Sequence, residues 1–165
     1  MGMELTKSDI AKIQEEIDYR KITLRPELLK RLQTARAQGD LSENFEYTMA
    51  KRENNQNNSR VRYLENIIRT ATIVTDTAGE DEVGLNKEVT IETEDGEEVY
   101  KIVSSIRGNS LENRISTESP LGKALLHRKP GDTVTVCVNE TFSYNVRILK
   151  VRAIEDDGSD GLRQY

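Results

Sequence analysis

Tryptophan is absent from the 165-residue chain, phenylalanine occurs twice, and cysteine and histidine occur once each. A lone Cys137 closes no intramolecular disulfide, which removes a disulfide framework and suits a reducing compartment. Cys137 and the single His127 lie ten residues apart and offer no partner set for a zinc centre or a thiol nucleophile. No glycine-rich phosphate loop is present. No apolar run approaches the ~20 residues of a membrane span, and the N-terminus lacks the apolar segment of a secretory signal. Apolar residues make up 35% and aromatics 5%, enough for a modest core. Charged residues reach 32%, which suits an exposed coiled coil better than a compact enzyme. A soluble, cytoplasmic protein with an elongated portion is expected, with no membrane partner.

Charge is also unevenly placed. Residues 1–75 hold 13 Lys and Arg against 11 Asp and Glu, and residues 76–165 hold 11 against 18. The acidic second half is a poor nucleic-acid surface, whereas the first half has cations for local phosphate contacts.

Two long stretches of the first half carry helical spacing. Ile10, Ile13, Ile17, Leu24, Leu28, Leu32 and Ala35 keep mostly three- and four-residue steps. Thr6 or Ser8 is a cap at the start, Gly39 a stop, and Arg25-Pro26 predicts a kink or a break and restart. Tyr47, Ala50, Asn54, Asn57, Val61, Leu64, Ile68 and Ala71 form a heptad seam. Its polar middle, Glu53 to Asn58, reads either as a register device or as local looseness. The two stretches predict an antiparallel hairpin, with a first arm of about 48 Å at ~1.5 Å per residue.

After Ile73 the period becomes two. Val89 to Thr93 and Val99 to Val103 flank the turn Glu94-Asp95-Gly96-Glu97. Asn113 to Thr117 is strand-like, Ser119-Pro120 opens a short helix, and Thr133–Val138 and Phe142–Ile154 complete the sheet. The expected fold is α+β. A coiled-coil hairpin over 1–75 precedes a small antiparallel-sheet domain over 80–154 and a disordered acidic tail over 155–165.

The loop between the helical stretches, Gly39 to Tyr47, carries Asp40, Glu43 and Glu46. Asp40-x-x-Glu43 can serve as a capping box if the second helix starts there, with acids favoured by the helix dipole. A cap does not require a third acid, Asn44 and two aromatics, Phe45 and Tyr47. Arg31, Arg36, Lys51 and Arg52 surround the loop. Carboxylates ringed by cations suit a site that takes Mg²⁺ beside a polyanion. Capping and metal delivery both remain open at this point, and they are compatible.

The run Ala35-Arg36-Ala37-Gln38-Gly39-Asp40-Leu41-Ser42-Glu43-Asn44-Phe45-Glu46-Tyr47 resembles the tip signature of the bacterial Gre-family transcript cleavage factors, A-type in particular. Arg25-Pro26, Ala50-Lys51, Arg60 to Glu65, Ile115-Ser116, Ser119 to Leu125, Gly131-Asp132 and Phe142-Ser143-Tyr144 extend the likeness over most of the chain. The resemblance implies an FKBP-like second domain that docks at the rim of the RNA polymerase secondary channel. The hairpin then reaches down that channel as a monomer. It also implies no tightly bound cofactor and no nuclease activity of the chain alone. Asp40 and Glu43 match the family's catalytic acids, which hold a Mg²⁺ shared with polymerase and position a water so that backtracked RNA is cleaved. Glu46 supports them. Contacts to polymerase or to the nascent RNA 3′ segment are implied for Arg36, Ser42, Asn44, Phe45, Tyr47, Lys51 and Arg52 at the tip. Ser119 and Pro120 are the implied docking contacts of the second domain. Each of these also has a structural reading: packing within the hairpin for Phe45 and Tyr47, a solvated face for the cations, and a loop constraint for Ser119 and Pro120.

The chain departs from the family pattern at Glu53–Asn58, at His127 where glycine is common, at Asn139-Glu140-Thr141, and in its acidic tail. Rival readings are a channel-occupying regulator without cleavage and a plain coiled-coil scaffold. A prolyl isomerase is disfavoured by the few aromatics of the second half.

Overall fold

The computed structural model describes residues 2–38, 44–75, 78–154 and 160–163. Two compact units result. One comprises Met1–Gly2 and Ile10–Ala71, the other Met3–Asp9 and Thr72–Tyr165.

The first unit is a helical hairpin. Helix α1 (Lys7–Asp18) runs through a π-helical turn (Tyr19–Leu24) into α2 (Arg25–Arg36), and α3 (Phe45–Thr70) returns. The break foreseen at Arg25-Pro26 is this π turn, and the chain stays helical through it. Proline has no N–H and its ring crowds the carbonyl four residues back. The wider turn accommodates it: the Arg25 N–H donates to the Arg20 carbonyl, and Pro26 falls in the first turn of α2. With 26 residues, α3 is about 39 Å long.

Ile13, Ile17, Leu28, Ala35, Ala50, Val61, Leu64 and Ile67 form the apolar seam. The heptad reading places Ala50, Asn57, Val61 and Leu64 correctly, but the end of the seam is Ile67 rather than Ile68. A straight helix of 3.6 residues per turn drifts against a strict seven-residue repeat. Asn57 is buried and paired in both directions: Arg20 Nη1 donates to Asn57 Oδ1 (3.1 Å), and Asn57 Nδ2 donates to the Arg20 carbonyl (3.1 Å). Arg60, 3% exposed, donates through Nε to Glu16 (2.8 Å), and Arg20 Nε donates to the same carboxylate (2.9 Å). Asn57 is therefore the register device. At Asn54 the Oδ1 atom is buried without a hydrogen bond among the described residues.

Burial pushes the Glu16 carboxyl up, but the hydrogen bonds and charges of Arg60 and Arg20 outweigh it and hold the group below its ordinary value of 4.5. The folded state then binds its proton less readily than the unfolded chain. The stabilisation is present above the unfolded value and disappears as pH falls through the folded one. Chemical denaturation of the hairpin is expected to need less denaturant at pH 3 than at pH 6. Glu16→Gln should flatten that dependence, and an unchanged slope would remove Glu16 from the account.

The second unit opens with a reciprocal cap on α1: the Thr6 N–H donates to Asp9 (2.9 Å) and the Asp9 N–H to Thr6 Oγ1 (3.2 Å). Strand β1 (Glu4–Leu5) pairs in parallel with β2 (Thr72–Ile73), a two-stranded element too short to show in sequence periodicity. Asp9 also meets Arg107 at 2.5 Å, both nearly inaccessible. The main sheet has the order β5-β4-β3-β7-β6, built from β3 (Lys87–Thr93), β4 (Gly96–Val103), β5 (Arg114–Ser116), β6 (Thr133–Cys137) and β7 (Ser143–Ala153). It is mixed rather than antiparallel, because β5 runs parallel to β4 with Lys101 opposite Arg114. Residues 104–113, with two 3₁₀ turns, bring the chain back alongside Lys101–Val103, the last residues of β4, as a parallel neighbour requires.

Val89, Ile91, Ile102, Val134, Val136, Val146 and Ile148 form the core with Leu125 of α4 (Pro120–Leu125). Lys87 is 7% exposed, and its ammonium donates to the carbonyls of Gly79, Glu80 and Glu82, fixing the approach to β3. His127 has φ 63°, the left-handed region that favours glycine. A side chain there costs roughly 1 kcal/mol, so His127→Gly should raise the melting temperature by a few degrees. A lower value would mean that the His127–Glu82 contact (3.5 Å) outweighs the backbone strain. In the segment read as a disordered tail, residues 160–163 are placed: Asp160 is 7% exposed and pairs with Lys101 and Arg114.

Candidate functional site at the hairpin tip

The connection from α2 to α3 spans residues 37–44. Asp40, Ser42 and Glu43 lie outside the described residues, so the site is seen through its frame. Asn44 makes that frame. Its Oδ1 accepts from the Tyr47 N–H (3.0 Å), capping α3, and its Nδ2 donates to the Ala35 carbonyl (2.7 Å). One side chain thus caps one helix and fastens it to the last turn of the other.

This corrects the capping reading of the tip acids. The N-cap of α3 is Asn44 and the first helical residue is Phe45. Asp40 and Glu43 precede the helix in sequence, and neither is its N-cap. Of the three acids, Glu46 alone belongs to the first turn of α3. The Asn44 cap was open to sequence reasoning, since asparagine is a preferred N-cap and Phe45 begins the helical stretch. The Asp40-x-x-Glu43 spacing masked that signal by imitating a capping box.

Cations surround this frame. The Arg36 guanidinium lies over the Tyr47 ring, 5.7 Å from its centroid. A hydrogen bond from Arg36 holds the Tyr47 phenol below its ordinary value. Lys51 and Arg52 are exposed on α3. Arg31 is committed elsewhere, bonded to Glu27 (3.1 Å) and Glu53 (2.9 Å). Tyr47 packs within the hairpin, but Phe45 does not: it is 74% exposed. Phe45 stands at a groove of about 460 Å³ floored by Thr34, Ala35, Met49 and Ala50.

Ser119 and Pro120 belong to the second unit. Ser119 Oγ accepts from the Gly122 N–H (3.0 Å) and donates to the Ser116 carbonyl (2.7 Å), and Pro120 opens α4. Both residues therefore have a structural task. Among the described residues no three His, Cys, Asp or Glu side chains cluster as metal ligands. None of the described helices is long and apolar enough to cross a membrane.

A coiled-coil hairpin with an acid-bearing loop, followed by a small mixed-sheet domain, defines a class of transcription factors. The chain belongs to the GreA/GreB family: the family model described as transcription elongation factor, N-terminal, matches residues 3–73, and that of the GreA/GreB C-terminal part matches residues 78–153. It is 43% identical to the transcription elongation factor GreA of Streptococcus pneumoniae serotype 19F (strain G54) over 150 residues, 89% of this chain and 93% of that one. The GreA of Streptococcus sanguinis (strain SK36) gives the same identity and coverage. Among solved structures, the GreA factor homolog 1 of Thermus thermophilus is 25% identical, covers 93% of this chain and 100% of that chain, and superposes with a TM-score of 0.44.

Proposed function

We propose that the chain binds bacterial RNA polymerase, passes its hairpin through the secondary channel, and stimulates the polymerase's own cleavage of backtracked nascent RNA. It acts as a monomer in the cytoplasm, and cleavage rescues arrested complexes. Family membership supports the elongation role. The observation that carries the finer reading is that α3 is capped by Asn44. The N-cap position of α3 is thus filled without calling on Asp40 or Glu43.

Two carboxylates are hard oxygen donors of the kind Mg²⁺ takes, but they fill a minority of its six positions. The donor set therefore fits a shared ion whose other ligands come from polymerase and RNA, and it does not fit a resident metal. When bound, the ion stabilises charge on the attacking and leaving oxygens of the phosphodiester. Asp40 and Glu43 would hold it and orient the water, with Glu46 in support. Arg36, Lys51 and Arg52 face RNA phosphates as positioning charges. Phe45 offers an exposed ring to an extruded base. In this reading the chain alone hydrolyses no RNA, because two carboxylates do not by themselves make a two-metal site.

The test is a halted, backtracked polymerase complex with end-labelled RNA. Addition of the chain is expected to shorten the transcript in the presence of Mg²⁺ and to restore elongation. Binding without shortening would replace this reading with a channel-occupying regulator, and absence of binding would remove the polymerase assignment.

A further inference from the structure

We propose that Lys101 and Arg114 form a receptor for an acidic protein segment, and that the chain's own C-terminal residues occupy it in cis. The two cations are register partners across β4 and β5. One carboxylate bridges them: Asp160 Oδ2 lies 2.5 Å from Lys101 Nζ, and Asp160 Oδ1 lies 3.3 Å from Arg114 Nη1. Their side chains are 18% and 12% exposed. Arg114 is held in place, since its Nε donates to the Arg107 carbonyl (2.9 Å) and its guanidinium also pairs with Glu112. The occupant is gripped through its backbone as well, by the Arg163 N–H donating to the Ile106 carbonyl (2.7 Å).

Two further observations separate the receptor from its occupant. Lys101 and Arg114 lie inside the family-matched residues 78–153, whereas Asp160 lies beyond them. A cleft of about 650 Å³ also persists between the 108–112 turn and residues 161–163. Leu111, on its wall, is 94% exposed. The tail thus satisfies the cations and leaves Leu111 bare. A segment that fits better keeps a carboxylate for Lys101 and Arg114 and adds an apolar side chain that covers Leu111. Asp160-Gly161-Leu162 supplies the carboxylate but leaves Leu111 uncovered. Tethering gives the cis segment an effective concentration on the order of millimolar, so a competing segment must make the additional contact or meet a vacated receptor. The site is polar, oriented and salt-sensitive, as recognition of a carboxylate by paired cations requires.

The experiment uses the full chain and a fluorescent peptide copying residues 155–165, followed by anisotropy at low and high salt. Asp160→Asn should bind the peptide at least tenfold more tightly than the wild type, in which the receptor is filled. Adding Lys101→Gln and Arg114→Gln to that variant should abolish capture, and 0.5 M salt should weaken it. Circular dichroism melting confirms that each variant is folded. In the same samples, amide exchange at Arg163 should accelerate in Asp160→Asn. Equal peptide binding by wild type and Asp160→Asn, retention of binding after both cations are neutralised, or unchanged Arg163 exchange would each overturn the proposal and leave the tail as a structural strap.

Discussion

Asp40→Asn is expected to slow RNA shortening in the backtracked-complex assay by on the order of 100-fold or more, the scale seen when a ligand or a charge-stabilising group is removed from a reacting centre. Glu43→Gln should cost a similar factor. Both substitutions keep side-chain size and remove the negative charge, so they report on charge rather than on packing. The frame that holds the loop is independent of them: Asn44 makes its bonds to Tyr47 and Ala35 without either acid. Folding and polymerase binding should therefore survive. If the two acids hold one ion, the double variant should be little worse than either single one, because residues acting as a unit are not additive. Glu46→Gln, in the first turn of α3, should lose much less. Raising Mg²⁺ should partly rescue the single variants by restoring occupancy through mass action. Cleavage at wild-type rates by Asp40→Asn would end the assignment of the tip as a donor of metal ligands, whatever the family.

Gly122→Ala is expected to destabilise the second unit by about 3 kcal/mol or more, in the range of severe overpacking. A Cβ at Gly122 would lie 1.9 Å from the Ser116 carbonyl oxygen and 2.9 Å from its carbon. Those atoms are backbone at the end of β5, so no rotamer change relieves the contact. The helix must lift from the strand. Doing so would pull Leu125, fully buried in the core, and would break both hydrogen bonds of the Ser119 hydroxyl. At roughly 4–8 °C per kcal/mol for a domain of this size, the melting transition should fall by more than 10 °C. Gly108→Ala is the control: its nearest contacts are at ordinary distances of 3.6 and 3.9 Å, so its effect should stay within about 0.5 kcal/mol. Indistinguishable melting of the two variants would show that α4 does not approach β5 this closely. Since Ser119 and Pro120 begin the same helix, the variant should also bind polymerase less well if they are docking contacts.

Local pattern carried the hairpin, the β3–β4 turn, the Ser119-Pro120 helix start and the core alternation, because each is written in neighbouring residues. What escaped was written between distant ones. The π turn depends on a carbonyl of Arg20 that Asn57 meets across the hairpin. The direction of β5 is invisible in three residues, and the β1–β2 pair joins residues 68 positions apart. Asp160 looks like one more acid in a polar tail until Lys101 and Arg114 are brought together by the sheet. At the site itself, the sequence named the acids and the cations. It offered Asp40-x-x-Glu43 as one reading of the cap, whereas Asn44 caps α3, because an Asp-x-x-Glu spacing and an asparagine compete for the same task. The placement of Asp40 and Glu43 themselves lies outside the described residues.

The paired bonds between Arg20 and Asn57 set a length scale for the arm. Two apolar helices can slide past one another by a turn, about 5.4 Å, and repack similar faces. Here such a slide would withdraw the Asn57 amide from the Arg20 carbonyl and strand the Arg60 charge away from Glu16. The hairpin therefore has one allowed extension rather than a ladder of near-equal ones. Under the proposed function, in which the rod sets a carboxylate beside a phosphodiester, that choice of stroke matters more than stiffness. A bent rod can still arrive, but one a turn too short cannot.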